Sequence, residues 1–449
     1  MSSLINSIFS SGSGIDVNAT VDQLLYAERA PERLMQSQQS QLSVQTNVLD
    51  AINGNLSTLL EKVNALKDVS GALNAKSATS SQTGILTATA DTTAIPAVHT
   101  VVVRNLATTS TFYSNPLATG DTTFATGSFT LQVGTGTPVI ITVDSSNNTL
   151  NKLAASINNQ KVGVTASVIS DSSGSRLLLT SNTSGAPGQI AITNNSSGLT
   201  LNQGVAGLNA SLTVDGVDMS HASNLVSTAI PGVTMNLISA APNTPVTITI
   251  ASNTTAVRQA VTDFVSAYNA VASAINLEFK YDDTTKSAGP LAGDASLRSL
   301  QSSLLRDVSY SMEGNNEFVN LQSLGIEMQN DGTLTINDSK LDDVLGNHFA
   351  EFQSFFQGLS PTGFAHNFST DLATLTSTTT GPLYVDLAGI NNTQDMLTKS
   401  IQDFEDRMAV RQKQLIDEYS QIDAILRTFP TTMQEIQAEL GTLDQNKNS

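Results

Sequence analysis

The chain has 449 residues, a formal net charge of −18 at pH 7, and neither cysteine nor tryptophan. This length exceeds what one hydrophobic core requires and predicts about three domains. The lack of cysteine excludes disulfides, thiolate zinc sites and a cysteine nucleophile, and an acidic balance without any cluster of Lys and Arg argues against nucleic-acid binding. No window comes near the roughly 20 apolar residues of a membrane span, so we expect a soluble protein that does not enter a membrane.

The N-terminal stretch, residues 1–15, is rich in Ser and Gly and is expected to be flexible. It has no basic n-region and no apolar run long enough for a Sec signal peptide, so any export would use another route. Asp16 or Asn18 is placed to cap a short helix, and Pro31 marks the start of a second helix or a kink in the first.

A seven-residue apolar repeat follows Pro31. One series consists of Met35, Leu42, Leu49, Leu56 and Val63, and a second, three residues out of phase, consists of Ile52, Leu59, Leu66 and Leu73. Such a repeat predicts a helix of roughly 55 to 60 Å that packs against another helix. Asn53 and Gly54 are weak helix formers and indicate a local break.

The apolar period changes to two between residues 85 and 250, which predicts a β-rich middle. Strands are expected at residues 85–90, 97–104, 128–133, 138–143, 162–169, 176–180, 189–193, 211–214, 234–238 and 246–250. A helix over 149–158 interrupts them, and Asp215–Gly216 is expected to form a hairpin turn. Residues 81–252 carry six acidic and four basic side chains. We interpret this nearly neutral region as two β domains, one inserted within the other.

Helical spacing returns at Thr254, and a further helix is expected over Leu297–Val308. A strand over Thr333–Ile336 is followed by a short helix, for which Ser339 is the expected cap. Four phenylalanines then form a dense cluster, which is typical of a core anchor on a helix face and not of a ligand site. They are Phe349, Phe352, Phe355 and Phe356.

The C-terminal stretch repeats the seven-residue pattern. One series consists of Ile401, Met408, Leu415, Ile422, Phe429, Ile436 and Leu443, and a neighbouring set that drifts beside it consists of Phe404, Leu426, Met433 and Leu440. A straight helix slips in this way against a seven-residue repeat. Pro430 interrupts the pattern and predicts a helix break after Arg427. The 26 acidic and 12 basic side chains of residues 253–449 are interpreted as a solvated face.

These elements predict an α+β multidomain protein with an elongated helical coiled-coil leg formed by both chain ends and β-rich head domains inserted in the middle. An N-terminal arm (1–45) is expected to pair with a C-terminal terminal helix (429–449). The remaining predicted divisions are a helical leg (46–90), the first part of one head domain (91–120), an inserted second head domain (121–207), the second part of the first (208–253) and a helical leg or bundle (254–428).

No residue pattern indicates catalysis, a cofactor or a metal site. Nucleophile-elbow, phosphate-loop and dinucleotide motifs are absent, and four histidines lack metal-ligand spacing: His99, His221, His348 and His366. The acidic pairs Asp282–Asp283 and Asp342–Asp343 are the remaining candidates for acid–base or cation chemistry. The first pair lies in a predicted turn, and the second lies in a first helical turn, where negative charge suits the helix dipole. We therefore predict a protein that is not an enzyme.

Several short motifs occur in the order found in one known family. The first three are Gly14–Asn18, Val21–Leu24 and Glu28–Pro31, and the later ones are Tyr268–Ala270, Leu291–Ala295 with Arg298, Leu324–Ile326, Asp331–Leu334 and Lys340–Leu341. Together they resemble the flagellar filament cap proteins, also called flagellar hook-associated protein 2. The resemblance covers the chain ends and the C-terminal half, whereas the β-rich middle matches in general character.

This resemblance implies export by the flagellar type III apparatus without signal cleavage and a place outside the cell at the filament tip. It implies a ring-like homo-oligomer, commonly of five subunits, that contacts flagellin and the hook–filament junction proteins. There it promotes the insertion and polymerisation of flagellin and prevents its loss. A cytoplasmic export chaperone is implied for the C-terminal segment.

The candidate residues follow from the two apolar repeats. Those for helix packing or oligomer contacts are Leu42, Leu49, Leu56, Leu59, Val63, Leu66, Ile401, Met408, Leu415 and Ile422. Those for chaperone or filament docking are Phe429, Met433, Ile436, Leu440 and Leu443.

Alternatives stay open on the sequence. A hook–filament junction protein belongs to the same structural class, and the motif Leu291–Asp294 favours the cap. An adhesin that binds host mucin or glycan through the β-rich head belongs to a different class, and binding by residues 91–252 would distinguish it. An enzyme would require an activity that is lost on substitution of Asp282 or Asp342.

Overall fold

The computed structural model describes residues 16–284, 286–358 and 362–445, except for the side chains of residues 430, 434, 437 and 440–445. The predicted flexibility of residues 1–15 lies outside these ranges. The chain divides into two compact units, one that combines Met1–Lys67 with Val261–Ser449 and one that contains Asp68–Ala260. The first is helical and draws on both chain ends, and the second is β-rich, which confirms the predicted α+β multidomain class.

The helices are α1 Val17–Glu28, α2 Ala30–Lys67, α3 Leu150–Gln160, α4 Thr254–Phe279, α5 Ala295–Val308, α6 Asp338–Asn347, α7 Phe349–Gln357, α8 Phe364–Leu375 and α9 Pro382–Gln445. Asp16 caps α1 as predicted, since its Oδ1 accepts a hydrogen bond of 3.0 Å from the Ala19 N–H. The expected cap Ser339 is wrong. α6 begins at Asp338, two residues earlier than predicted, and Asn337 caps it by accepting from the Lys340 N–H at 3.2 Å.

The strands of the β-rich unit are β1 Lys76–Ser80, β2 Leu86–Ala90, β3 Ala97–Asn105, β4 Thr109–Ser114, β5 Gly127–Val133, β6 Val139–Val143, β7 Val164–Asp171, β8 Gly174–Ser184, β9 Ile190–Thr193, β10 Leu201–Val205, β11 Ala210–Val214, β12 Val217–His221, β13 Leu225–Ile230, β14 Val233–Leu237 and β15 Val246–Ser252. Two short hairpins belong to the helical unit. They are β16 Tyr281–Asp282 with β17 Ser287–Ala288 and β18 Ile326–Met328 with β19 Leu334–Ile336.

The core of the helical unit combines an aliphatic face of α2 with an aromatic cluster. α2 packs against α8 and α9. In the aromatic cluster, the ring of Phe364 lies 5.9 Å from that of Phe264 on α4 and 5.4 Å from that of Phe355 on α7. Phe352, Phe355 and Phe356 are fully buried, which confirms the predicted core anchor for three of its four members, whereas Phe349 is half-buried.

Two expectations for the N-terminal repeat are wrong. α2 ends at Lys67 and does not reach Leu73, because the Asp68 side chain accepts hydrogen bonds of 2.8 Å from the Ser70 N–H and hydroxyl and turns the chain. The predicted break at Asn53–Gly54 does not occur. Gly54 lies on the open side of the helix, with no atom within 4 Å of where its Cβ would be. The packing of its buried neighbours Ile52 and Leu56 stabilises the helix at this position.

The predicted break after Arg427 is also wrong, because α9 runs without interruption from Pro382 to Gln445. Pro430 deprives one backbone carbonyl of its N–H donor, which costs most where that carbonyl is buried. Here the neighbouring residues Leu426 and Phe429 are exposed, so water can satisfy the carbonyl. The helix therefore continues through the proline.

The first core of the β-rich unit lies between the sheet of order β1-β15-β3-β11-β12 and the sheet of order β13-β14-β2. Alternation along β3 places Val101 and Val103 inside and Val98 outside. The predicted hairpin turn at Asp215–Gly216 joins β11 to β12. Asp215 Oδ2 lies 2.7 Å from His99 Nδ1, and this contact lowers the pKa of Asp215 below its usual value. His99 therefore has a structural role in this turn.

The second core of the β-rich unit lies between α3 and strands of the sheets β10-β4-β8-β7 and β6-β5-β9. Its residues fall between Phe112 and Leu201, whereas those of the first core come from the chain on both sides. The sequence analysis missed β1, β4, β10, β12 and β13. These strands are rich in Ser, Thr and Asn or are short, so their periodicity is weak and pairing with a neighbouring strand determines them. The division into 91–120, 121–207 and 208–253 stays a prediction.

An asparagine on α3 protects the edge strand β7. Asn158 Nδ2 donates to the Ala166 carbonyl and Oδ1 accepts from the Ala166 N–H, both at 2.8 Å. We expect Asn158→Ala to lower the free energy of unfolding of the β-rich unit by about 1–3 kcal/mol, because both backbone groups lose their partner. Asn159→Ala is the matched control on an exposed position of the same turn. Equal urea midpoints for the two variants would contradict the prediction.

Candidate interaction surface

The predicted packing residues of α2 lie on the buried face of the helical unit. Leu42 is half-buried, and five others have no exposed surface: Leu49, Leu56, Leu59, Val63 and Leu66. Side-chain hydrogen bonds add to the contact between α2 and α9. Gln39 Nε2 donates to Thr398 Oγ1 at 2.8 Å. The N-terminal repeat thus packs against helices of the same chain. Contacts of this repeat between subunits stay a prediction.

The predicted packing residues of α9 differ in their surroundings. Met408 and Leu415 are buried against Val21 and Leu25 of α1. Ile401 is half-buried, and Ile422 is 38% exposed. Since Tyr419 is a further member of this cluster, the packed part of α9 ends close to that residue.

An apolar strip occupies one face of α9 beyond Tyr419. Its members recur at three- and four-residue steps and therefore share one side of the helix. Ile425 and Phe429 expose 64% and 56% of their surface. We call this set the α9 apolar strip; it consists of Ile422, Ile425, Leu426, Phe429, Met433 and Ile436. The side chains of the two remaining docking candidates, Leu440 and Leu443, lie outside the described part of the chain.

The sequence reasoning found the strip only in part. It placed Ile422 with the packing residues, named Leu426 only in the neighbouring apolar set, and left out Ile425, because Ile425 falls outside both series. The three-residue step from Ile422 to Ile425 is the signal that could have found it, since both steps of three and of four keep a residue on one helix face.

The Leu291–Asp294 motif lines an open groove of about 450 Å³ in the helical unit, together with residues of α2 and α9. Gln45 Nε2 of α2 donates to the Pro290 carbonyl at 2.9 Å. Asp294 caps α5 by accepting from the Leu297 N–H at 2.8 Å, and Arg298 Nη2 donates to the Ala292 carbonyl at 3.0 Å. The motif therefore has a structural role. It fixes the start of α5 next to α2 and α9, the helices that the two chain ends contribute.

The candidate residues for acid–base or cation chemistry lie on separate elements. Asp282 lies in the β16–β17 hairpin, and Asp342 lies on the exposed side of α6. Among the described residues, no three His, Cys, Asp or Glu side chains come together as a metal site. A helix long and apolar enough to cross a membrane is likewise not found within the described ranges.

Comparison with known sequences identifies similar proteins along the whole chain. Residues 13–110 match the N-terminal region and residues 207–430 the C-terminal region of flagellar hook-associated protein 2, and residues 128–183 match the flagellin hook IN motif. The B-type flagellar hook-associated protein 2 of Pseudomonas aeruginosa PAO1 is 30% identical over 406 residues, which are 82% of this chain and 84% of that protein. Flagellar hook-associated protein 2 of Escherichia coli K12 is 26% identical over 468 residues and 98% of each chain.

A solved structure shows the same architecture. The D1-D2-D3 domains of the flagellar cap protein FliD from Escherichia coli match with a TM-score of 0.60 and 27% sequence identity. The match covers 77% of this chain and 99% of that structure. The helical unit and the β-rich unit thus both have counterparts in a known protein.

Proposed function

This chain belongs to the flagellar hook-associated protein 2 family, and from that premise we propose that it caps the growing flagellar filament and promotes the insertion and polymerisation of exported flagellin. The family is one of structural cap proteins of the flagellum and not of enzymes. The cap would also prevent flagellin from escaping into the medium. Family membership thus supports a location at the flagellum, and the capping activity at the filament tip is what we propose.

The α9 apolar strip is the observation that supports this proposal most strongly. The upstream part of α9 is packed against α1 and α2, whereas the strip is exposed on a continuous helix. An apolar face of this kind is costly in water and is suited to a helical partner. We assign the strip to contacts that change, first with an export chaperone in the cytoplasm and then with the filament.

The assembly we propose is a ring-like homo-oligomer of five subunits. Its partners are flagellin, the hook–filament junction proteins and the chaperone, and its export route is the flagellar type III apparatus. The nearly neutral β-rich region, with six acidic and four basic side chains over residues 81–252, supports close packing of several copies because little charge repulsion opposes it. The mucin or glycan alternative stays a prediction.

Deletion of the gene provides the functional test. We expect cells without this protein to assemble normal hooks, to release unpolymerised flagellin into the medium and to lose swimming, because subunits reach the tip and are not retained. Immunoblots of culture medium measure the released flagellin, hook counts by electron microscopy measure hook assembly, and a motility assay measures swimming. Full-length filaments in the deletion strain would contradict a cap, and loss of the junction between hook and filament would favour a junction protein.

A further inference from the structure

Two aspartates meet where α5 packs against α8 in the helical unit. Asp307 lies near the end of α5, and its side chain is 7% exposed. Its Oδ2 is buried and accepts no hydrogen bond. Arg306 Nη2 lies 3.5 Å from Asp307 Oδ1 and 3.3 Å from Asp371 Oδ2 on α8. One guanidinium nitrogen thus serves two carboxyl groups at distances longer than those of strong charge-assisted hydrogen bonds.

The charges at this contact do not balance when both aspartates are ionised. Arg306 supplies one positive charge and is 69% exposed, so water weakens its effect. Phe364, Phe368 and Tyr310 line the same cavity of about 230 Å³ as the two aspartates, which makes the surroundings less polar than water. Asp371 is 45% exposed and can keep its charge, so the cost of ionising both carboxyl groups falls on the buried Asp307.

The neighbouring helices α2 and α4 do not supply the missing positive charge. The charges that act on Asp307 are those of Asp371 and Arg306. From α4, Tyr268 faces Asp307, and burial together with the charge of Asp307 raises the pKa of this tyrosine, so it stays neutral. From α2, Lys67 Nζ donates to Ser369 Oγ at 2.9 Å. Ser369 precedes Asp371 by two residues and therefore lies on the opposite side of α8.

We propose that Asp307 and Asp371 share one proton and that this protonated pair fastens α8 to α5. The Asp307 carboxyl group donates its O–H to the Asp371 carboxylate, which satisfies the buried Oδ2 and leaves one negative charge for Arg306. Burial and the neighbouring Asp371 raise the pKa of Asp307 to about 7, against a smaller opposite effect of Arg306.

The pair makes the stability of the helical unit depend on pH. An aspartate in the unfolded chain has a pKa of about 3.9. The pKa of Asp307 is higher in the folded chain than in the unfolded chain. The pair therefore makes its full contribution to the free energy of unfolding below about pH 4, and this contribution is lost as the pH rises to about 7. The equilibrium constant for unfolding should increase by up to about tenfold per pH unit in this window because of the pair.

Urea unfolding of the full chain, followed by helical circular dichroism, tests this pH dependence. Asp307→Asn keeps an N–H donor toward Asp371 but does not titrate. We expect the ratio of the unfolding constants of wild type and Asp307→Asn to rise by about 100-fold or more between about pH 4 and pH 8. Asp403→Asn, at an exposed position of α9, should follow wild type at every pH. A ratio that stays constant would overturn the proposal.

Infrared spectroscopy of the wild-type chain keeps the proposal testable if Asp307→Asn does not fold. At about pH 6 ordinary aspartates are ionised, so a C=O band of a protonated carboxyl group reports an aspartate with a raised pKa. Labelling with ¹³C-aspartate should shift this band and so identify it as aspartyl. We expect the band at about pH 6 and its loss above about pH 8. Absence of the band at about pH 6 would contradict the shared proton.

Discussion

Replacing Phe429 and Ile436 together by Asp is expected to abolish filament growth while both units of the chain stay folded. These side chains are exposed members of the α9 apolar strip, so their loss removes no core contact. Burial of a Phe or Ile side chain against a partner contributes about 1.5–3 kcal/mol each, and two carboxylates would in addition have to be desolvated. Docking through the strip should therefore weaken by more than about 100-fold.

The matched control for this variant is Thr431→Asp with Ala438→Asp. These exposed positions lie on the opposite face of α9 and add the same charge to the same segment. The control should swim like wild type, and the strip variant should swim like the deletion strain and release flagellin. Comparing cell and medium fractions separates a failure of export, which leaves the variant inside the cell, from a failure of docking. Equal swimming of both variants would contradict a role of the strip.

Phe364→Ala is expected to cause a large loss of stability in the helical unit, about 3–5 kcal/mol in the free energy of unfolding. Phe364 is 1% exposed and contacts aromatic rings from α4, α7 and α8, so truncation leaves a cavity that several helices would have to fill. Loss of helical circular dichroism in urea measures the effect.

Phe429→Ala is the control for this loss, because it removes the same atoms from an exposed position. Its unfolding free energy should lie within about 0.5 kcal/mol of wild type. Phe364→Leu, which keeps most of the buried volume, should fall between the two. A small effect of Phe364→Ala, close to that of Phe429→Ala, would show that the cluster does not anchor the unit.

The helical elements could be predicted where one physical signal dominates. The seven-residue steps from Leu49 to Val63 and from Met408 to Leu415 indicate buried helix faces, and these residues are buried. Gly54 and Pro430 misled the prediction, because intrinsic helix propensity is weaker than the packing of Ile52 and Leu56 and matters less where the backbone is solvated.

Contacts between distant parts of the chain could not be predicted. The strand β12, with the sequence Val-Asp-Met-Ser-His, is too short for a clear two-residue period and buries none of its side chains fully, so its pairing with β11 determines it. Asp307 and Asp371 are 64 residues apart, and only the packing of α5 against α8 brings them together. A sequence shows that such side chains exist, but it carries no local signal of their proximity.

The position of the protein on the flagellum tests the capping proposal most directly. Electron microscopy of filaments from cells in which this chain carries a gold-detectable tag should show label at the distal tip of each filament and none along its length. Label spread along the filament, or confined to the hook, would contradict the account.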